Sequence, residues 1–119
     1  MLRPLIKTIG ALEKDRFTTD FPEEREIQPD NYRGIHKLDI NTCISCGACE
    51  RICPNKTITM IEAETEKGRR KLPQIDLERC LFCGLCEEVC PTHCLVLTKN
   101  YDFVKKDRRY FIKRPEELK

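Results

Sequence analysis

One cysteine pattern, C-x2-C-x2-C-x3-C-P, occurs twice in this chain and constrains its fold more than any other feature. The first copy is Cys43, Cys46, Cys49, Cys53 and Pro54, and the second is Cys80, Cys83, Cys86, Cys90 and Pro91. They sit in longer segments that align without gaps, LDINTCISCGACERICPNKTITMI at 38–61 and IDLERCLFCGLCEEVCPTHCLVLT at 75–98. Asp39/Asp76, Gly47/Gly84 and Glu50/Glu87 are also identical across the offset of 37 residues. Two similar units imply a pseudo-symmetric pair in which each half covers what the other leaves bare.

Each unit reads as strand, loop, short helix, strand. His36, Leu38 and Ile40 alternate with polar Lys37 and Asp39, and Ile75 and Leu77 flank Asp76, which is strand periodicity. CERIC and CEEVC place their end cysteines at i and i+4 on one helical face, and Pro54 and Pro91 stop those helices. ITMI and LVLT read as short apolar strands. The charged link EAETEKGRRK, 62–71, holds one Gly and reads as an exposed hairpin tip. In residues 1–14, Leu2, Leu5, Ile6, Ile9 and Leu12 recur at helical spacing, which predicts a short amphipathic helix with Pro4 tolerated near its start.

Cysteines at steps of three can wrap a compact cubane cluster from one loop. Gly47 and Gly84 let the backbone approach without a Cβ clash, and loop N–H groups can then reach the sulfurs. Zinc modules use four ligands per site, commonly as separated pairs, and fit four cysteines within eleven residues poorly. Disulfides fit worse: the total of nine cysteines is odd, and the start of the chain shows no secretion signal, so we expect a reducing compartment. Cys94, aligned with Thr57, reads as a buried small hydrophobe. His36 and His93 read as surface or loop histidines rather than ligands, and Ile44 and Phe82 as shields against water.

Composition limits the rest. The chain has 119 residues, no Trp and 35% charged residues, and the span from Asp39 to Thr98 is too short to stand on its own apolar core. The nine cysteines offer the staple it needs. A net charge of +2 marks no nucleic-acid binder, and no apolar run approaches a membrane span. There is no nucleotide-binding glycine motif and no nucleophile pairing, so the chain by itself is not expected to be a complete enzyme.

The repeat resembles the bacterial-type two-[4Fe–4S] ferredoxin domain. FPEEREIQPDNYRG (21–34), QIDLERCLFCGLCEEVCP and LTKNYDFVKKDRRYFI extend the resemblance to the ferredoxin-like subunit of respiratory complex I and of energy-converting membrane-bound hydrogenases. It covers roughly residues 21–118. In two-cluster ferredoxins the fourth cysteine ligates the other cluster. The resemblance therefore implies two [4Fe–4S] clusters, one on Cys43, Cys46, Cys49 and Cys90, the other on Cys80, Cys83, Cys86 and Cys53. It implies an α+β, pseudo-twofold core at 35–98, an N-terminal arm at 1–34 and a C-terminal arm at 99–119. It further implies an electron relay at the cytoplasmic face of the membrane. An upstream donor subunit would feed it, a quinone-site or [NiFe]-type subunit would drain it, and residues 1–14 would meet membrane subunits. A freely diffusing ferredoxin and a zinc-stabilised interaction module are the alternatives; the first has no need of arms.

Metal binding then supplies much of the folding free energy. Complete chelation is expected to leave a largely unfolded chain, and a native-like far-ultraviolet circular dichroism spectrum after chelation would contradict that.

Overall fold

The structure is a computed structural model, and it describes residues 2–15, 18–65 and 68–118. It is a small mixed helix-and-strand fold. In chain order come α1 (Leu2–Leu12), β1 (His36–Leu38), α2 (Ala48–Ile52), β2 (Ile58–Thr65), β3 (Gly68–Asp76), α3 (Leu85–Glu88), β4 (Leu95–Leu97) and β5 (Ile112–Lys113). Short 3-10 turns at Arg108–Phe111 and Pro115–Leu118 flank β5.

The strands pair across the repeat. β1, before the first cysteine run, is antiparallel to β4, after the second, with Lys37 opposite Val96. β2, after the first run, is antiparallel to β3, before the second, with Ile58 opposite Ile75. Neither unit can complete its sheet without the other. The shared acidic residues do matching work in each half. Asp39 and Asp76 accept N–H bonds from Asn41 (2.9 Å) and Glu78 (3.1 Å), turning the chain into each cysteine loop. Glu50 and Glu87 accept from Met60 N–H (3.2 Å) and Leu97 N–H (3.1 Å), tying each short helix to the strand that follows it.

The charged link is mostly strand. Glu62 faces Lys71 and Glu64 faces Arg69, with Arg69 Nε 3.4 Å from Glu64 Oε1, so opposite charges pair across the ladder. The tip at 66–67 lies outside the described residues. The C-terminal segment closes the same sheet: Ile75 pairs with Lys113 and Asp76 with Ile112, Leu77 N–H donates to Phe111 O at 2.9 Å, and Leu118 is buried. Lys113, also buried, lays its ammonium 3.3 Å from the Tyr110 ring centroid.

The aliphatic core consists of Leu38, Ile58, Leu72, Ile75, Leu77, Leu95 and Leu118. Each such side chain contributes about 1.5–3 kcal/mol by burial. Four of the eleven buried apolar residues are cysteines, so the core merges into the cysteine runs.

Helix α1 forms as the periodicity predicts, but its apolar residues Leu5, Ile6, Ile9 and Leu12 are all exposed. Residues 18–34 instead run beside 98–103. Tyr101 meets Phe21 and Tyr32 at 6.1 Å between centroids, and Arg25 pairs with Asp102 at 3.0 Å. Gly34 N–H donates to Thr98 O at 2.7 Å, so close that a Cβ at Gly34 would lie 2.2 Å from Asn100 O. That carbonyl is backbone and cannot swing aside. Gly34→Ala is expected to destabilise the cluster-loaded chain by about 1–3 kcal/mol through overpacking. An unchanged thermal midpoint would show that the two segments are not held against each other.

Candidate metal centres

Both cysteine runs adopt the same irregular backbone. Left-handed φ occurs at Ser45 (59°) and Phe82 (49°), at Gly47 (67°) and Gly84 (84°), and at Lys56 (51°) and His93 (47°). Each pair is one repeat offset apart. Left-handed turns at non-glycine residues are uncommon and cluster where a site needs them. The first turn of each pair curls the loop between the first two cysteines. The glycine turn then starts the short helix, and the last returns the chain after the fourth cysteine.

Arginines fix these loops by their carbonyls. Arg33 Nη1 donates to Cys83 O at 2.8 Å from a point fifty residues earlier, Arg51 Nη1 donates to Cys46 O at 3.1 Å, and Arg70 Nη2 donates to Cys43 O. Asn55 Nδ2 donates to Arg79 O at 2.5 Å, tying one repeat to the entrance of the other. Spacing alone could not reveal Arg33, because only the fold brings it to the second loop.

The thiols surround two cavities. Cys43, Cys46, Cys49 and Cys90 line one, together with Cys94, Met60, Pro73 and Leu95. Cys53, Cys80, Cys83 and Cys86 line the other, with His36, Thr57 and Ile58. In each, the first three cysteines of one run meet the last cysteine of the other, and Cys94 adds a fifth thiol to the first. Among the described residues no three His, Cys, Asp or Glu side chains converge on a point where one ion would sit. Eight thiols arranged around two spaces suit a polynuclear sulfide core better than a lone ion. A larger cleft, bordered by Lys37, Asp39, Asn41, Glu64 and His93, holds none of these eight cysteines.

The thiols are not alike electrostatically. Burial pushes Cys49 up to about 11 and Cys86 up to about 12, and it raises Cys80 as well. The two cysteines that reach across the repeat go the other way. At Cys53 burial works upward, but hydrogen bonds from Thr57 Oγ1 and from nearby backbone N–H groups outweigh it and lower the thiol. At Cys90 burial is likewise outweighed, by Leu95 N–H and by the Cys94 and Thr92 side chains, and the thiol falls to about 7. Cys94 itself is held well up, chiefly by burial, and its Sγ lies 3.4 Å from Cys90 Sγ, within hydrogen-bond reach. The raised thiols store desolvation that a bound cation relieves.

The remaining sequence expectations divide. Cys94 is buried, as its composition suggested, and His93 is exposed. His36 corrects its surface reading: it is buried in β1, stacks on Phe82 at 5.7 Å, and burial lowers it to about 4, so it is neutral. Its neighbours on the strand, not its own type, decide that. Its Nδ1 and Ser45 Oγ are buried side-chain atoms left without a partner among the described residues. Phe82 is partly buried between His36 and Phe103, but Leu81 rather than Phe82 lines the second cavity; Ile44, though 56% exposed, lines the first. Thr57, absent from the expected site, touches Cys53 directly. No helix among the described residues is long and apolar enough to cross a membrane.

The likeness to known proteins follows the same lines. A family model described as a 4Fe-4S dicluster domain matches residues 42–94. NADH-quinone oxidoreductase subunit I of Carboxydothermus hydrogenoformans is 39% identical over 72 residues, 60% of this chain and 51% of that protein. NAD(P)H-quinone oxidoreductase subunit I of Prochlorococcus marinus is 37% identical over 111 residues, 91% of this chain and 51% of its own. A chain in the structure of the membrane-bound sulfane sulfur reductase, an archaeal respiratory membrane complex, matches at TM-score 0.65 and 35% identity, covering 92% of this chain and 57% of that one. The chain spans about half the length of the two curated relatives. Motif, fold and relatives agree with the resemblance read from the sequence: residues 42–94 match the 4Fe-4S dicluster domain family, in a chain similar to subunit I of the quinone oxidoreductases.

Proposed function

We propose that this chain is the electron-relay subunit of a membrane-anchored, multi-subunit oxidoreductase related to complex I and the membrane-bound hydrogenases, and that it carries two [4Fe–4S] clusters. Cys43, Cys46, Cys49 and Cys90 hold one, and Cys80, Cys83, Cys86 and Cys53 hold the other. The observation that carries the proposal is the make-up of the two cavities: each is walled by the first three cysteines of one run and reached by the last cysteine of the other, Cys90 in one, with Cys94 beside it, and Cys53 in the other. The crossed strand pairing, β1 with β4 and β2 with β3, supports the same pseudo-twofold core.

A [4Fe–4S] cluster, when bound, takes up and releases a single electron without forming a bond to substrate. The protein's share is to supply thiolates, exclude water and fix the spacing. Cys49 lies in α2 and Cys53 just past its end. Four helical residues advance about 6 Å, so a single turn of backbone joins the two sites. Leu38, Leu72 and Leu95 keep the inner side dry.

An upstream subunit delivers electrons and a quinone-site or [NiFe]-type subunit removes them, with the chain peripheral to the membrane at its cytoplasmic face. Helix α1 fits such an assembly. It has eleven residues, with no acidic side chain in its first turn and no basic one in its last, so on its own it is a marginal helix. Its exposed apolar residues need a surface to rest on. A freely diffusing carrier has no use for it.

Two experiments test this. Cys53→Ser is expected to damage the cluster held by Cys80, Cys83 and Cys86, read by iron and acid-labile sulfide content and by electron paramagnetic resonance. Damage confined to the other cluster would show that the ligands do not cross. Deleting residues 1–14 should leave both clusters spectroscopically intact while the chain no longer co-purifies with membranes; cluster loss would instead make the helix part of the core.

A further inference from the structure

Each repeat puts a buried residue four positions after its last cysteine, and the two repeats fill that position differently. Thr57 follows Cys53 and is 3% exposed; Cys94 follows Cys90 and is 6% exposed. Thr57 Oγ1 lies 3.2 Å from Cys53 Sγ, and Thr57 N–H donates to the same sulfur at 3.4 Å. Cys94 Sγ lies 3.4 Å from Cys90 Sγ, and Thr92 Oγ1 is more distant from it at 3.7 Å. The left-handed turns at Lys56 and His93 deliver both side chains by the same backbone route. At this position the scaffold is therefore shared and the donor is not: a hydroxyl at 57 and a thiol at 94, with the Thr92 hydroxyl a second, longer partner of Cys90 alone.

That difference has a direction. A hydroxyl donates more strongly than a thiol, and a ligating thiolate is an acceptor only. Hydrogen bonds to ligand sulfur favour the more negative, reduced state of a cluster and so raise its reduction potential. Cys90 is buried and Cys53 half-buried, and both partners, Thr57 and Cys94, are buried, so each bond is partly shielded from solvent.

We propose that Thr57 and Cys94 are positioning residues that tune the two clusters: each hydrogen-bonds the exchanged ligand of one cluster and raises its potential, Thr57 by more than Cys94. The repeat gives the two sites a common plan, and these two side chains are one point at which they differ. The proposal rests on the ligand assignment above.

The test is a redox titration of the cluster-loaded full chain followed by electron paramagnetic resonance, with the two signals assigned beforehand from Cys46→Ser and Cys83→Ser. Thr57→Val should lower the midpoint potential of the cluster held by Cys80, Cys83 and Cys86 and leave the other in place. Thr57→Ser should restore it, which a purely structural role would not require. Cys94→Ala should lower the other cluster's potential by a smaller amount. Where valine blocks loading, Thr57→Ala gives the same readout. An unmoved potential in a fully loaded Thr57→Val, Thr57→Ala or Cys94→Ala chain overturns the tuning itself. A Thr57 variant that shifts the Cys43 cluster instead overturns the ligand assignment on which it stands.

Discussion

Burying sulfur that must become charged is the constraint to which the rest of the molecule answers. Cys43, Cys86 and Cys90 are buried and belong to the same core cluster as the leucines. A thiolate in such surroundings is costly unless a cation or a hydrogen bond compensates it. Cys53 and Cys90 obtain hydrogen bonds from their own repeats, while Cys49 and Cys86 obtain too few and are held protonated. The fold is thus poised: two thiols are prepared for metal, and others become comfortable only once metal arrives.

Interlocking follows from the same constraint. Each sheet takes one strand from each repeat, each cavity takes its fourth thiol across the repeat, and Asn55 bonds the entrance of the opposite loop. Among the described residues seven buried aliphatic side chains make a thin core for a chain of this length, and the pairing of strands across the repeat joins the halves where apolar mass is short. The C-terminal segment adds what apolar burial remains, through Leu118 and the pairing of Ile112–Lys113 with β3.

Where the sequence was legible, a period or a spacing carried the information. The cysteine steps marked the cavity walls, alternation marked β1, and the 3.6-residue period marked α1. Where it was not, tertiary context overrode composition. Glu62, Glu64, Arg69 and Lys71 look like loop residues one at a time, yet as cross-strand partners they extend the hairpin. His36 looks like a surface residue until Phe82 stacks over it. Ser45, Phe82, Lys56 and His93 adopt left-handed turns that nothing in their side chains advertises, because the loop's closure and not local propensity sets their backbone. Arg33 and Thr57 reach the cysteine loops through long-range folding and a turn, neither of which a motif records.

The sheet-closing segment has a consequence for truncation. β5 pairs with β3 at Ile75 and Asp76, and Leu118 is buried in the same core cluster. A chain stopped before Ile112 would leave that edge of β3 without its pairing strand and uncover the apolar surface on which Leu118 rests. Residues 112–118 therefore belong to the fold and are no trailing appendage.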